Sequence, residues 1–198
     1  MLDEITREGS PEHDPTTARI LRAPLEEFLD KGIRRAKLEE IARRAGVSRV
    51  TIHRRYPGKQ NLVTAVLIEE ARDLYARGRV IARAEPTLPD KIAAAFVFII
   101  GYARRSRLSR LLRADPGPFL PSFTTHGEPL IVLLRAYYLE LMRDAGVHHA
   151  AMEVSADILA RTVVSYCLSP SAVVDLADPA TAAAFARHHL TPILQTGP

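Results

Sequence analysis

Apolar residues recur along most of this chain with the three- and four-residue spacing of an α-helix, and no stretch alternates convincingly with the two-residue period of a β-strand. Prolines and glycines separate the periodic stretches from one another. The pattern therefore predicts an all-α protein of about nine helices.

Four of these helices lie in the first part of the chain. Thr16 or Thr17 can cap the first one, which ends at Gly32. Gly46 breaks a short second helix, and Ser48 can cap the third. The predicted helices span about 17–31, 38–45, 49–56 and 59–84.

Prolines divide the remainder of the chain. Three of them, at positions 116, 118 and 121, make residues 115–125 a predicted loop. The last helix begins at Pro179 and is expected to end before Pro192. The predicted helices here span about 89–104, a short basic stretch up to 113, 129–146, 149–168 and 179–191.

Charge is distributed unevenly along the chain. Residues 1–15 carry five acids and one base, a net charge of −4, and this segment is predicted to be a disordered acidic tail. Residues 16–60 carry twelve Lys or Arg against five Asp or Glu, which is +7, and residues 61–198 carry fourteen against thirteen, which is +1. A basic block ahead of a nearly neutral body is typical of a nucleic-acid-binding module, with a solvated basic face as the alternative.

Several classes of protein are excluded by the sequence. The longest apolar run, residues 93–101, has about half the length of a membrane-spanning helix, and the acidic start does not fit a secretory signal. Cys167 is the only cysteine, so no internal disulfide can form, and we expect a cytoplasmic protein. Glycine-rich phosphate loops and hydrolase or zinc-protease motifs are missing, so we predict no catalytic residues, no cofactor and no enzyme.

The second and third predicted helices are joined by the three-residue turn Gly46-Val47-Ser48. Glycine permits the sharp turn, valine fills the space between the helices, and serine satisfies amides at the start of the next helix. This arrangement predicts a helix-turn-helix, which places its second helix in the DNA major groove. Arginine and histidine on that helix can donate to guanine, and threonine offers a hydroxyl and a methyl group. An ordinary surface helix hairpin is the alternative.

A longer set of residues around this turn follows a known pattern. The segment reads TARILRAPLEEFLDKGIRRAKLEEIARRAGVSRVTIHRRYPGKQNL. Its matching positions are Ile20, Leu21, Ala23, Phe28, Gly32, Ile41, Ala42, Ala45, Gly46, Val47, Ser48, Thr51, Ile52, Tyr56 and Lys59. On these residues the segment resembles the N-terminal domain of tetracycline-repressor (TetR) family regulators.

This resemblance implies a DNA-binding domain at 16–60 and a helical ligand-binding and dimerisation domain at 61–198. It implies base contacts from residues 49–51 and His53, and phosphate contacts from Arg54, Arg55 and both the amide and the ammonium of Lys59. The full set of expected DNA-binding residues is Lys37, Ser48, Arg49, Val50, Thr51, His53, Arg54, Arg55, Tyr56 and Lys59.

The chain departs from the family pattern at several positions. Pro24 stands inside the first helix, where we expect a kink or a late helix start. His53 and Arg55 replace two tyrosines, so the operator preference cannot be taken from relatives. Ala36 and Lys37 replace the usual hydroxyl cap of the second helix, and Lys37 can substitute as a point charge near phosphate.

In the second domain the resemblance implies a pocket between the middle helices for a mostly apolar ligand. Aromatic residues at helical spacing are, one by one, more often core residues. The candidate wall residues are Phe96, Tyr102, Tyr137, Met142 and Tyr166, with His126 as a possible gate in the proline-rich loop.

Metal binding is not expected. His148 and His149, like His188 and His189, are sequence neighbours, so on a helix they point about 100° apart. His149 and Glu153 have suitable spacing, but two ligands do not make a site. Cys167 lies in an apolar stretch and is predicted to be a buried, inert thiol.

The last two helices, at about 149–168 and 179–190, are rich in Ala, Leu and Val. Such a composition fits a core or a dimer interface, and the resemblance favours a four-helix bundle across a two-fold axis. We therefore expect a homodimeric repressor that a small ligand releases from a palindromic operator. The alternatives are a dimeric DNA-binding protein without an effector and, more remotely, a small-molecule carrier or enzyme.

Overall fold

The computed structural model describes residues 15–148 and 150–195, with side chains for 20–148 and 150–194. Every regular element in these ranges is helical. The helices are α1 (Pro15–Lys31), α2 (Leu38–Ala45), α3 (Arg49–Arg55), α4 (Lys59–Arg83), α5 (Leu88–Arg105), α6 (Arg107–Ala114), α7 (Leu120–Phe123), α8 (Glu128–Asp144), α9 (Met152–Leu168), α10 (Pro179–Phe185) and α11 (Thr191–Gln195). A π-helical segment, Ala186–Leu190, joins α10 to α11.

The prediction of an all-α protein with about nine helices is confirmed. Within the described ranges, α10, the π-helical segment and α11 form one continuous helix, and α7 is a single turn. Nine longer helices therefore remain beside that turn. The expected disordered tail lies outside the described residues, except for Pro15, which begins α1.

Helix α1 runs through Pro24 without interruption. The expected late start at this proline is wrong, and Thr16 and Thr17 lie inside the helix rather than at its cap. Proline in a helix interior costs about 3 kcal/mol, because it removes one hydrogen bond and crowds the preceding turn. Burial of Ile20 and Phe28 on the same helix offsets that cost.

Two further expectations based on prolines are corrected. The predicted loop 115–125 contains the one-turn helix α7, in which Pro121 occupies a first-turn position that proline favours. The last helix continues past Pro192 to Gln195. It does so after widening to π spacing, in which Thr191 donates its amide hydrogen to the carbonyl of Ala186, five residues earlier.

The chain divides into two compact units. Among the described residues, the first contains 15–71 together with 107–130, and the second contains 72–106, 131–148 and 150–195. In the first unit α6 packs against α1, and Leu108 and Phe119 are buried in the same core as the N-terminal helices. As functional domains, the predicted segments 16–60 and 61–198 stay a prediction.

Each unit has its own hydrophobic core. The first core is built on Ile20, Phe28, Ile41, Ile52, Leu62 and Val66. The second is built on Phe96, Tyr137, Tyr138, Leu141, Met142, Leu159 and Val163. Among the helices that the structure describes, none combines the length and the apolar character needed to cross a membrane.

Candidate nucleic-acid interface

Helix α2 buries one face and exposes the other. Ile41, Ala42 and Ala45 are buried at helical spacing in the core of the first unit. Lys37 occupies the N-cap position in an extended conformation and makes no side-chain cap hydrogen bond. The start of α2 is therefore left without a side-chain cap, and the Lys37 side chain is exposed.

The turn between α2 and α3 has the expected geometry. Gly46 adopts the left-handed conformation with φ 66°, and its amide lies at the carbonyls of Ala42 and Arg43. Ser48 is the N-cap of α3, and its hydroxyl accepts the Thr51 amide hydrogen at 3.0 Å. The turn residues thus fix where α3 begins.

Helix α3 presents a mixed face to solvent. Ile52 is fully buried, whereas Val50 is 74% exposed. Arg49, His53, Arg54 and Arg55 are also exposed, while Thr51 and Tyr56 are half-buried. Helix α3 therefore exposes an apolar side chain among mainly basic ones. Such a surface can contact a partner that offers both apolar groups and negative charge.

Two polar contacts orient the first turn of α3. The Arg49 guanidinium forms an ion pair with Glu39 on α2, with 2.9 Å between Nη1 and Oε1. The hydroxyls of Ser48 and Thr51 lie 2.9 Å apart and share a hydrogen bond. Sequence reasoning missed the role of Glu39, because the pairing depends on the angle between the two helices rather than on sequence spacing.

Lys59, the first residue of α4, has a defined position. Its ammonium donates hydrogen bonds to the carbonyls of Ile33 and Arg34, both at 3.0 Å. These carbonyls belong to the turn that follows α1, so Lys59 links that turn to the start of α4. The expected contact of this ammonium with phosphate stays a prediction, and its contact with two backbone carbonyls was not predicted from the sequence.

A buried carboxylate also joins the helices of the first unit. Glu27 on α1 is fully buried and forms ion pairs with Lys31 Nζ at 2.8 Å and Arg44 Nε at 3.1 Å. Arg44 on α2 also donates to Asp30, and this contact raises the pKa of Arg44. The ion pair of Glu27 with Lys31 could have been predicted from their four-residue spacing on one helix. The ion pair of Glu27 with Arg44 on α2 could not, because it depends on how α1 and α2 pack.

The comparison with known families finds a match in this region. Residues 20–66 match the sequence profile described as "Bacterial regulatory proteins, tetR family". Over this segment, about a quarter of its length, the chain is similar to tetR-family regulators. This family consists of regulatory proteins rather than enzymes.

Relatives of this chain match it over different lengths. An uncharacterized HTH-type transcriptional regulator of Mycobacterium tuberculosis is 44% identical over 59 residues, which are 30% of this chain and 31% of the relative. The chain thus matches less than a third of that relative's length. YvkB of Bacillus subtilis, also described as an uncharacterized HTH-type transcriptional regulator, is 28% identical over 157 residues, 77% of this chain and 81% of the relative.

The fold of a solved TetR family repressor matches most of this chain. The crystal structure of the TetR family repressor AlkX from a Dietzia strain superposes with a TM-score of 0.74 at 19% identity, covering 89% of this chain and 96% of AlkX. At 19% identity, this similarity shows the fold alone. The individual DNA-contact residues stay a prediction.

The predicted pocket residues of this chain fall into separate groups. In the second unit, Phe96 contacts Tyr166 edge-on, with 6.4 Å between ring centroids. Tyr137 contacts Tyr75 at 5.0 Å, also edge-on. Met142 is fully buried in the same core, and Tyr102 lies under the Arg77 guanidinium at 5.5 Å. His126 is exposed and belongs to the first unit, whereas the other candidates belong to the second. The assignment of these residues to a ligand pocket stays a prediction.

A polar group that the sequence did not reveal lies beside these rings. Tyr75 on α4 donates a short hydrogen bond to Glu140 on α8, and burial together with this contact raises the pKa of Tyr75. Arg83 also pairs with Glu140, at 2.7 Å. The hydroxyls of Tyr137 and Tyr138 are buried and have no hydrogen-bond partner.

Cys167, expected from the sequence to be a buried and inert thiol, is half-buried in the structure. Burial raises the pKa of the Cys167 thiol to about 12, which keeps the thiol protonated at neutral pH. The side chain packs against the core of the second unit. The inert character of this thiol stays a prediction.

One face of α9 exposes apolar side chains. Val154 is 61% exposed, Ile158 47% and Leu168 39%. At 100° per residue these three positions lie within about 80° of one another around the helix. The predicted start of this helix at residue 149 is three residues too early, since α9 begins at Met152, and His149 itself lies outside the described residues.

Proposed function

We propose that this chain is a homodimeric, sequence-specific DNA-binding transcriptional regulator. In detail, it acts as a repressor in the bacterial cytoplasm and leaves a palindromic operator when a small, mostly apolar ligand binds. The observation that carries the proposal is the exposed face of α3, the second helix of the helix-turn-helix. Ser48 caps this helix, and basic residues surround the exposed Val50 near its start.

Base readout is assigned to the first two turns of α3. The N-terminal residues of a recognition helix contact base edges in the major groove. Arg49 and His53 supply donors for guanine, and Val50 supplies an apolar surface for the methyl group of thymine. Phosphate binding is assigned to Arg54, Arg55 and Lys37, whose charges lie around the same helix pair.

Dimerisation is assigned to α9 and the continuous helix that contains α10. Support comes from the exposed apolar face of α9, because a monomer would leave Val154 and Ile158 in water. A two-fold dimer reads two half-sites about 34 Å apart, which makes the operator pseudo-palindromic.

Ligand response is assigned to the second unit. Its support is the concentration of aromatic rings together with the buried hydroxyls of Tyr137 and Tyr138, since a ligand acceptor can satisfy a hydroxyl that lacks a partner. A ligand that favours the state with wrongly spaced recognition helices shifts the population away from DNA.

Selection of bound sequences from a random duplex pool tests the proposal. The purified full-length protein is used, and the salt dependence of binding is recorded on the selected and shuffled duplexes. We expect a two-fold motif bound by two chains. An unstructured pool with steep salt dependence would contradict sequence-specific regulation and leave a basic, non-specific binder.

A further inference from the structure

Glu39 occupies an unusual position for a carboxylate. It lies on α2 and is 56% exposed, and its oxygen Oε1 lies 2.9 Å from Nη1 of Arg49 on α3. DNA phosphates repel a negative side chain beside the recognition helix, so such a residue lowers the affinity for every DNA sequence. We therefore expect Glu39 to have a role that offsets this loss of DNA affinity.

Arg49 is the residue on which Glu39 acts. It is the first residue of α3, and its side chain is 65% exposed. A guanidinium carries five N–H donors, so an ion pair at Nη1 leaves enough donors for a two-pronged contact with the O6 and N7 acceptors of guanine. The ion pair therefore restrains the Arg49 side chain and still leaves N–H donors that can contact a base.

From this geometry we propose that Glu39 is a positioning residue for base readout, which directs Arg49 to guanine and thereby sets operator specificity. The proposal rests on the proposed DNA-binding function. A long arginine side chain loses rotamer freedom when it docks on a base, and a partner that restricts it beforehand reduces that loss. Specificity is gained in this way even though non-specific affinity falls.

Another account of Glu39 is that it only stabilises α2, because acids in the first turn of a helix interact favourably with the helix dipole. Glu40 allows the two accounts to be separated. It lies in the same turn and pairs with Arg43 on its own helix at 2.5 Å, a contact that lowers the pKa of Glu40. Replacing Glu40 removes the same charge from the same turn without altering the partner of Arg49.

The experiment compares Glu39→Gln with Glu40→Gln, each alone and combined with Arg49→Ala. Dissociation constants are measured on the selected operator and on a shuffled duplex of equal composition, and melting temperatures check folding. Both single variants should bind the shuffled duplex more tightly by a similar factor. Glu39→Gln alone should lower the operator-to-shuffled affinity ratio, by about two- to five-fold, the size expected for an exposed ion pair.

The outcomes separate this inference from the function on which it depends. In the Arg49→Ala background, Glu39→Gln should leave the ratio unchanged. Equal ratios for Glu39→Gln and Glu40→Gln, or a loss of specificity that persists without Arg49, would overturn the positioning role while leaving regulation intact. A wild-type protein that prefers no duplex would overturn the proposed function, and the positioning role with it.

Discussion

The ammonium of Lys59 lies 3.0 Å from the carbonyl oxygen of Ile33. It donates to the carbonyl of Arg34 at the same distance, so one side chain at the start of α4 closes the turn that follows α1. The residue expected from the sequence to bind phosphate therefore also holds the first unit together.

Replacing Lys59 by methionine should affect both stability and DNA binding. The two carbonyls lose a charged donor, so the free energy of unfolding should fall by about 1–2 kcal/mol in urea titrations. Affinity should fall about equally on operator and shuffled duplexes.

Lys37→Ala is the matched control, because its exposed side chain makes no cap hydrogen bond. It should reduce the salt slope of binding by about one and leave stability unchanged, and a stability loss as large as that of Lys59→Met would contradict this distinction.

Gly46→Ala should destabilise the first unit through backbone conformation alone. A Cβ atom at this position would meet nothing within 4 Å, yet φ is 66°. The expected cost is about 1–2 kcal/mol, the penalty for a left-handed residue with a side chain. Gly46→Asn should cost less, since asparagine tolerates this conformation better. Equal unfolding free energies for both variants and the wild type would be inconsistent with the account.

Contact between Val50 and thymine methyl groups can be tested by changing the DNA. Replacing thymine by uracil in a half-site removes only the methyl group, and the wild type should lose affinity at one or two positions. Val50→Ala should show a much smaller loss at those positions, because it has already lost the apolar partner. Val173→Ala, which truncates a valine that is 98% exposed outside α3, serves as the control. A uracil effect of the same size in wild type and Val50→Ala would remove Val50 from the readout.

Two tyrosines of the second unit should respond oppositely to loss of the hydroxyl. Tyr75→Phe removes a hydrogen bond to Glu140 and should destabilise the protein by about 1–3 kcal/mol. Tyr137→Phe removes a buried hydroxyl without a partner and should leave stability unchanged or raise it slightly. Thermal unfolding of both variants makes the comparison. A large loss for Tyr137→Phe would mean that its hydroxyl has a partner in solution.

The sequence predicted the helix-turn-helix well because its determinants are local. Gly46, Ser48 and the apolar spacing of α2 act within a few residues of one another, and each has the predicted role in the structure. The helical character of the second part followed from the same periodicity. The bounds of most helices were therefore correct to within a few residues.

The features that the sequence did not predict depend on packing between distant residues. Pro24 and Pro192 do not end their helices, because burial of neighbouring side chains and a π-helical segment accommodate them. Leu108 and Phe119 join the core of the first unit from positions far along the chain. The ion pair of Glu39 and Arg49 likewise exists only once α2 and α3 have taken up their mutual angle.

The central claim is that the exposed face of α3 reads bases, and His53 tests it most directly. The selected operator is changed one base pair at a time across a half-site, and dissociation constants are measured for the wild type and His53→Ala. The account predicts that the variant loses discrimination at one or two adjacent base pairs and keeps it elsewhere, with little change on shuffled DNA. A uniform loss at every position, equal to that on shuffled DNA, would contradict it.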